Sequence, residues 1–265
     1  MRYKTRQFVF HRTYEMASLV EGCVDNRLWF MEIDWKNPDV LKCVSEFSKT
    51  SLLHYYIYAV ISVEQRRDLR KNADIYEDSE ESREEVEATL RAYGIDYLPY
   101  SEFLSSSESD TAEDFPFEQW FRSQQERFEL LWERITDEVF HLLFANRAFL
   151  LQFNQSLADY LKSGEVSIPA EFLDEKGVIK RQPYFPTWVK KAIYYRDQGK
   201  CVLCQRDLTG LLSTDQQIHY DHIVPLNLWG TNDPCNLQLL CEDCNLRKSG
   251  TSAKTANRYH PWWDY

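Results

Sequence analysis

Apolar residues recur at steps of three and four along most of the first two thirds of the chain, the period of an amphipathic helix. Asn37-Pro38-Asp39 has the form of a helix entry, with Pro in the first turn. From Val40 to about Lys71 the positions Leu52, Leu53, Tyr56, Ala59, Val60 and Val63 keep one face apolar, and a single helix is expected. Residues 74–92 are Glu-rich, with Val86 and Leu90 four apart, which predicts an exposed helix. Phe117 to Lys162 is the longest periodic segment. Trp120, Phe121, Phe128, Leu131, Trp132, Ile135, Val139, Leu142 and Leu143 form one wide apolar stripe that reads as core, ended by Ser163-Gly164.

Between these segments lie two stretches without a period. Ser101–Pro116 is rich in Ser and acidic residues and reads as a solvated loop. Leu173–Pro186 holds Gly177, Pro183 and Pro186 and reads as a linker. A short helix from Thr187, as N-cap, to Asp197 should follow, stopped by Gly199. Ile218, Tyr220 and His222 then alternate with His219 and Asp221, which predicts a short strand before Pro225. Pro234 is expected to open a short helix through Leu240. The division drawn from these patterns is a mainly helical domain over 1–172, a linker over 173–186 and a small α+β domain over 187–265.

Cysteine placement changes the picture most. Four of the seven cysteines form two Cys-x-x-Cys pairs, Cys201/Cys204 and Cys241/Cys244; Cys23, Cys43 and Cys235 are scattered. An odd total argues against a closed disulfide set, and paired thiolates at this spacing suit one tetrahedral structural Zn²⁺. No apolar run approaches the ~18 residues of a membrane helix. The first residues lack the apolar core of a signal peptide, so a cytoplasmic protein with no membrane contact is expected. The net charge of −11 is unevenly distributed: residues 1–175 carry −15 and residues 176–265 carry +4. The C-terminal part could approach phosphate, and the front part would be repelled by it.

The order Cys201-Val-Leu-Cys204, Asp221-His222, Asn236, Cys241-Glu-Asp-Cys244, Asn245 resembles the HNH endonuclease family over about residues 186–250. The resemblance implies a ββα-metal finger and hydrolysis of DNA phosphodiester bonds, with RNA left open. It implies His222 as general base, Asp221 and Asn245 as ligands of a catalytic Mg²⁺ or Mn²⁺, and Asn236 as the residue that holds the loop and orients His222. Arg247 and Lys248 are candidates to meet phosphate. The last position is Asn245 where His also occurs in the family. An amide oxygen is a hard ligand, which favours Mg²⁺ or Mn²⁺ over Zn²⁺ or Ni²⁺. Neighbours on a regular strand face opposite ways, so His219, two residues before Asp221, is a rival site residue.

Three wider readings accompany this one. A zinc module that grips nucleic acid without cutting is the alternative to an enzyme. The acidic front domain is expected to bind a protein or itself. By resemblance alone, the chain could be the effector nuclease of a prokaryotic anti-phage system beside an ATPase. The aromatic tail Tyr259–Tyr265 is expected to pack on the nuclease core.

Overall fold

The computed structural model describes residues 7–106, 115–210 and 217–258. The tail from Tyr259 and residues 107–114 of the expected acidic loop lie outside that set. Twelve α-helices and one two-stranded sheet are present among the described residues. The helices are α1 Thr13–Cys23, α2 Leu28–Met31, α3 Pro38–Ser45, α4 Leu52–Lys71, α5 Ala73–Asp78, α6 Glu80–Ala92, α7 Tyr100–Ser106, α8 Pro116–Ser123, α9 Gln125–Ala145, α10 Arg147–Lys162, α11 Thr187–Arg196 and α12 Glu242–Lys248. The strands are β1 Ile218–His222 and β2 Leu237–Cys241. The fold is α+β, mainly helical, with the small sheet near the C-terminal end.

Local chemistry divides the long periodic segments. The helix expected from Val40 is two helices, α3 and α4. Asn37 caps α3 by accepting from Asp39 N. Ser79 caps α6 by accepting from Ser82 N, which splits residues 74–92 in two. Asn146 caps α10 through Phe149 N, so Phe117–Lys162 contains three helices rather than one. At Ser79 and Asn146 a short polar side chain satisfies an orphan amide that a continuous helix would have bonded itself. The expected loop from Ser101 begins instead as helix α7.

The chain forms two compact units, one of residues 1–20 and 57–139, the other of residues 21–56 and 140–265. In the first, the stripe Trp120, Phe121, Phe128 and Trp132 is buried, as a core reading requires. Glu138, also buried, accepts from Thr13 Oγ1 (2.6 Å), Tyr93 OH (2.8 Å) and the backbone N of Val9 and Phe10.

The second unit carries the cysteine pairs. β1 and β2 are antiparallel, with His219 opposite Leu240 and Asp221 opposite Gln238. The segment expected as a helix from Pro234 is a 3₁₀ turn at Pro234–Asn236 followed by β2. All five residues of β2 are buried, so its apolar run has no polar alternation to mark it as a strand. Helix α11 starts at Thr187, but no side-chain cap bond forms at its N-terminus. Val189, Ile193, Val202, Leu208, Leu237, Leu239 and Leu240 pack into one apolar cluster around the cysteines. Earlier helices of this unit hold the loop between the strands: Asn154 Nδ2 in α10 donates to Cys235 O (3.1 Å), and Leu52 N at the start of α4 donates to Asp233 Oδ2 (2.6 Å).

Candidate active site and zinc centre

The first cysteine pair sits on a tight knuckle. Cys201 N donates to Arg206 O (2.9 Å), Gln205 N donates back to Cys201 O (2.8 Å), and Gln205 takes a left-handed φ of 62°. Val202 N donates to Leu239 O, tying the knuckle to β2. The second pair follows at once: Cys241 ends β2 and is the N-cap residue of α12, which carries Cys244 in its first turn. The four sulfurs lie within 4.8 Å of one another, and Cys204 and Cys241 are 3.7 Å apart. A tetrahedron of Zn–S bonds of ~2.3 Å has S–S edges of ~3.8 Å, so the set fits a four-thiolate zinc. Cys204 is the one exposed member. Arg247 donates to Cys244 Sγ (3.2 Å). Burial alone would raise the Cys244 thiol, yet it is held below its ordinary range by Arg247 and the neighbouring sulfurs.

The face of β1 that meets α12 carries the polar residues. His219 and Asp221 lie two apart on the strand and share that face. Asn245 and Lys248 lie three apart on the helix and likewise share one face. Asn245 Nδ2 is 3.4 Å from His219 Nδ1. Lys248 Nζ is 3.0 Å from Asp221 Oδ2 and donates to His222 O (2.7 Å). Gln238, fully buried on β2, also donates to Asp221 Oδ2 (3.0 Å). Asn245 therefore contacts His219 directly, and Lys248 contacts Asp221.

His222 points elsewhere. Its ring is 2% exposed, and Phe185 lies 6.5 Å away between centroids. Asn232, fully buried, donates through Nδ2 to Lys180 O (2.7 Å) and Ser45 O (2.9 Å). That fixes its Oδ1 as an acceptor, so the 3.2 Å contact with His222 Nε2 is an N–H donated by the imidazole. The proton sits on Nε2, and Nδ1 keeps a lone pair with no partner among the described residues. Burial pushes this imidazole down to about 3, with the Arg181 and Lys248 charges adding and the Asn232 bond opposing; the ring is neutral at pH 7.

Asn236 holds the loop between the strands. Its Oδ1 accepts from Val224 N (2.8 Å), and its Nδ2 donates to Val224 O and Thr231 O (2.9 Å each). Its side chain makes no hydrogen bond to the His222 ring among the described residues. The loop is tight enough that a Cβ on Gly230 would lie 1.9 Å from Val224 O. Asn236→Ala would leave three buried backbone groups without partners. At about 1–3 kcal/mol for each such group, it should lower stability by at least about 3 kcal/mol. A urea midpoint within error of wild type would show that water replaces the amide.

Residues 201–251 match the family model for HNH endonuclease. This segment is thus similar to HNH domains, and its four-cysteine cluster is consistent with the zinc type. No curated protein and no solved structure matches the chain. Of the residues that the HNH resemblance singled out, the structure gathers the four cysteines and brings Asp221, Asn245 and Lys248 to one face. Lys248, expected at phosphate, is instead buried on Asp221 and His222 O. Arg247, also expected at phosphate, is exposed and bonded to a thiolate sulfur. Sequence reasoning missed Asn232 and Gln238, whose partners are distant in the chain and carry no local signal. It also missed Asp197, buried between Arg147 and Arg196. No helix among the described residues is long and apolar enough to cross a membrane.

Proposed function

We propose that the HNH domain is a divalent-metal endonuclease that hydrolyses DNA phosphodiester bonds. The observation that carries this reading is the shared face of β1 and α12, which groups a carboxylate, an imidazole, an amide and an ammonium inside the segment that matches the family. Asp221 and Asn245 would hold a Mg²⁺ or Mn²⁺ ion, which would supply positive charge where negative charge grows on the phosphate oxygens. Lys248 and Gln238 both fasten Asp221 Oδ2, which fixes the carboxylate and leaves Oδ1 for other work. Lys248 thus acts through Asp221, while Arg247 stays exposed toward solvent and DNA.

The family resemblance assigns the base to His222; its ring lies on the face of β1 opposite Asp221 and Asn245, so the assignment requires the ring to turn toward them. A base needs a neutral ring and an open lone pair: burial keeps the ring neutral, and Asn232 holds the proton on Nε2 so that Nδ1 is bare. The lone pair on Nδ1 is then the site that takes a proton from water. Nδ1 is itself buried, so the reading requires that water be admitted to it. Plasmid nicking with Mg²⁺ tests the assignment. Removal of a general base typically lowers rate by ~10²–10⁴-fold, and His222→Ala should fall in that range. Equal cleavage by both proteins would take His222 out of the mechanism.

A second reading has one specific observation behind it. The enclosed His222 suits a zinc module that binds nucleic acid without cutting, and absence of nicking with retained DNA binding would select it. The charge division supports a role for residues 1–172 in binding a protein or a second copy rather than DNA. A place in anti-phage defence beside an ATPase rests on the family resemblance alone.

A further inference from the structure

Two electron-pair donors on the α12-facing side of β1 have no partner among the described residues. His219 Nε2 is buried with no hydrogen bond among the described residues. Asp221 carries its bonds to Lys248 and Gln238 on Oδ2, and Oδ1 makes none among the described residues. A buried nitrogen left this way is costly, and such a group calls for a water or an ion. Successive same-face residues on a strand stand about 6.8 Å apart at the backbone. An imidazole and a carboxylate at that spacing can close on one ion with bonds of ~2.1 Å. The other ring nitrogen completes the pattern. Nδ1 lies 3.4 Å from the Asn245 amide, whose oxygen and nitrogen can exchange places by a flip. With the oxygen facing the ring, Nδ1–H donates to it and Nε2 is left bare. A metal-bound histidine is commonly held in this way by a partner on its second nitrogen.

We propose that His219, rather than Asn245, is the second protein ligand of the divalent cation, binding through Nε2 beside Asp221 Oδ1 while the Asn245 amide orients the ring instead of binding the ion. The inference rests on the reading that the cation lies on the β1–α12 face. It returns from the strand an imidazole that the helix position 245 lacks. Imidazole suits Mn²⁺ better than Mg²⁺, so this chain should prefer Mn²⁺.

The test uses the full zinc-loaded chain and Mn²⁺ as probe, with binding followed by electron paramagnetic resonance and ligand nitrogen detected by spin-echo modulation. Wild type should show a directly bound nitrogen. His219→Gln should lose that signal and bind Mn²⁺ about ten-fold more weakly or worse, with a smaller change for Mg²⁺. His222→Ala should keep the signal. Zinc content and circular dichroism confirm that each variant is folded, and His219→Asn replaces His219→Gln if the latter is not. A nitrogen signal that survives loss of His219 overturns the proposal while the cation site stands. Mn²⁺ binding that is absent from wild type, or indifferent to Asp221→Asn, overturns the site itself.

Discussion

Cys241→Ser is expected to cost the chain its zinc and unfold the HNH domain. The residue has three duties at once: it ends β2, it starts α12, and its sulfur is 3.7 Å from Cys204. A serine hydroxyl is not a thiolate, and the remaining three sulfurs cannot close a tetrahedron. Structural zinc contributes about 10–16 kcal/mol in isolated fingers, so losing even part of it exceeds the stability of a typical domain segment. The domain has few other means of holding α12 in place, since that helix is only seven residues long. A helix of this length does not persist without packing. The site goes with it, because Asn245 and Lys248 ride on α12. Zinc assay should fall from one equivalent to less than half of one, and a strong chelator should reproduce the effect in wild type. A variant that keeps one zinc and melts with wild type would refute the four-thiolate centre.

The zinc centre was legible in the sequence because its ligands come in local pairs, each set by a single tight turn. The same holds for β1, where five residues alternate, and for Asn236, whose bonds reach back only to residues 224 and 231. β2 was not legible. Its period-two signal vanishes when both faces are buried, and Leu237, Leu239 and Leu240 then look like a helix turn. The helix breaks at Ser79 and Asn146 were missed for a different reason. Apolar spacing continues across them, and only the cap bonds show that the backbone leaves the helix. The enclosure of His222 lay furthest from view. It depends on Asn232 meeting backbone oxygens of Ser45 and Lys180, 187 and 52 residues away in sequence.

Asp197→Ala is expected to be the most destabilising change outside the zinc ligands. Its carboxylate is fully buried and accepts from Arg196 Nε (2.9 Å) and Nη2 (3.0 Å), and from Leu239 N (2.9 Å); Arg147 Nη1 lies at 3.5 Å. Two guanidiniums thus share one anion, and both are almost wholly out of water. Arg147 is further committed to Ala256 O and Arg258 O, so it cannot swing to solvent without releasing that segment. Removing the carboxylate leaves two buried positive charges facing each other and a β2 amide without an acceptor. Loss of one partner from a buried ion pair costs about 3–5 kcal/mol, a large share of a marginal fold. Asp197→Asn, which keeps one oxygen and the shape, should lose less. Urea unfolding measures both, and an Asp197→Ala loss below about 1 kcal/mol would mean that water already reaches the cluster. The same variant separates scaffold from chemistry. Leu239 lies on β2, one residue past the Gln238 that fastens Asp221, so weaker pairing there should loosen the carboxylate along with the fold. Nicking and Mn²⁺ affinity should then fall together in Asp197→Ala, whereas His222→Ala should lower nicking and leave Mn²⁺ affinity in place.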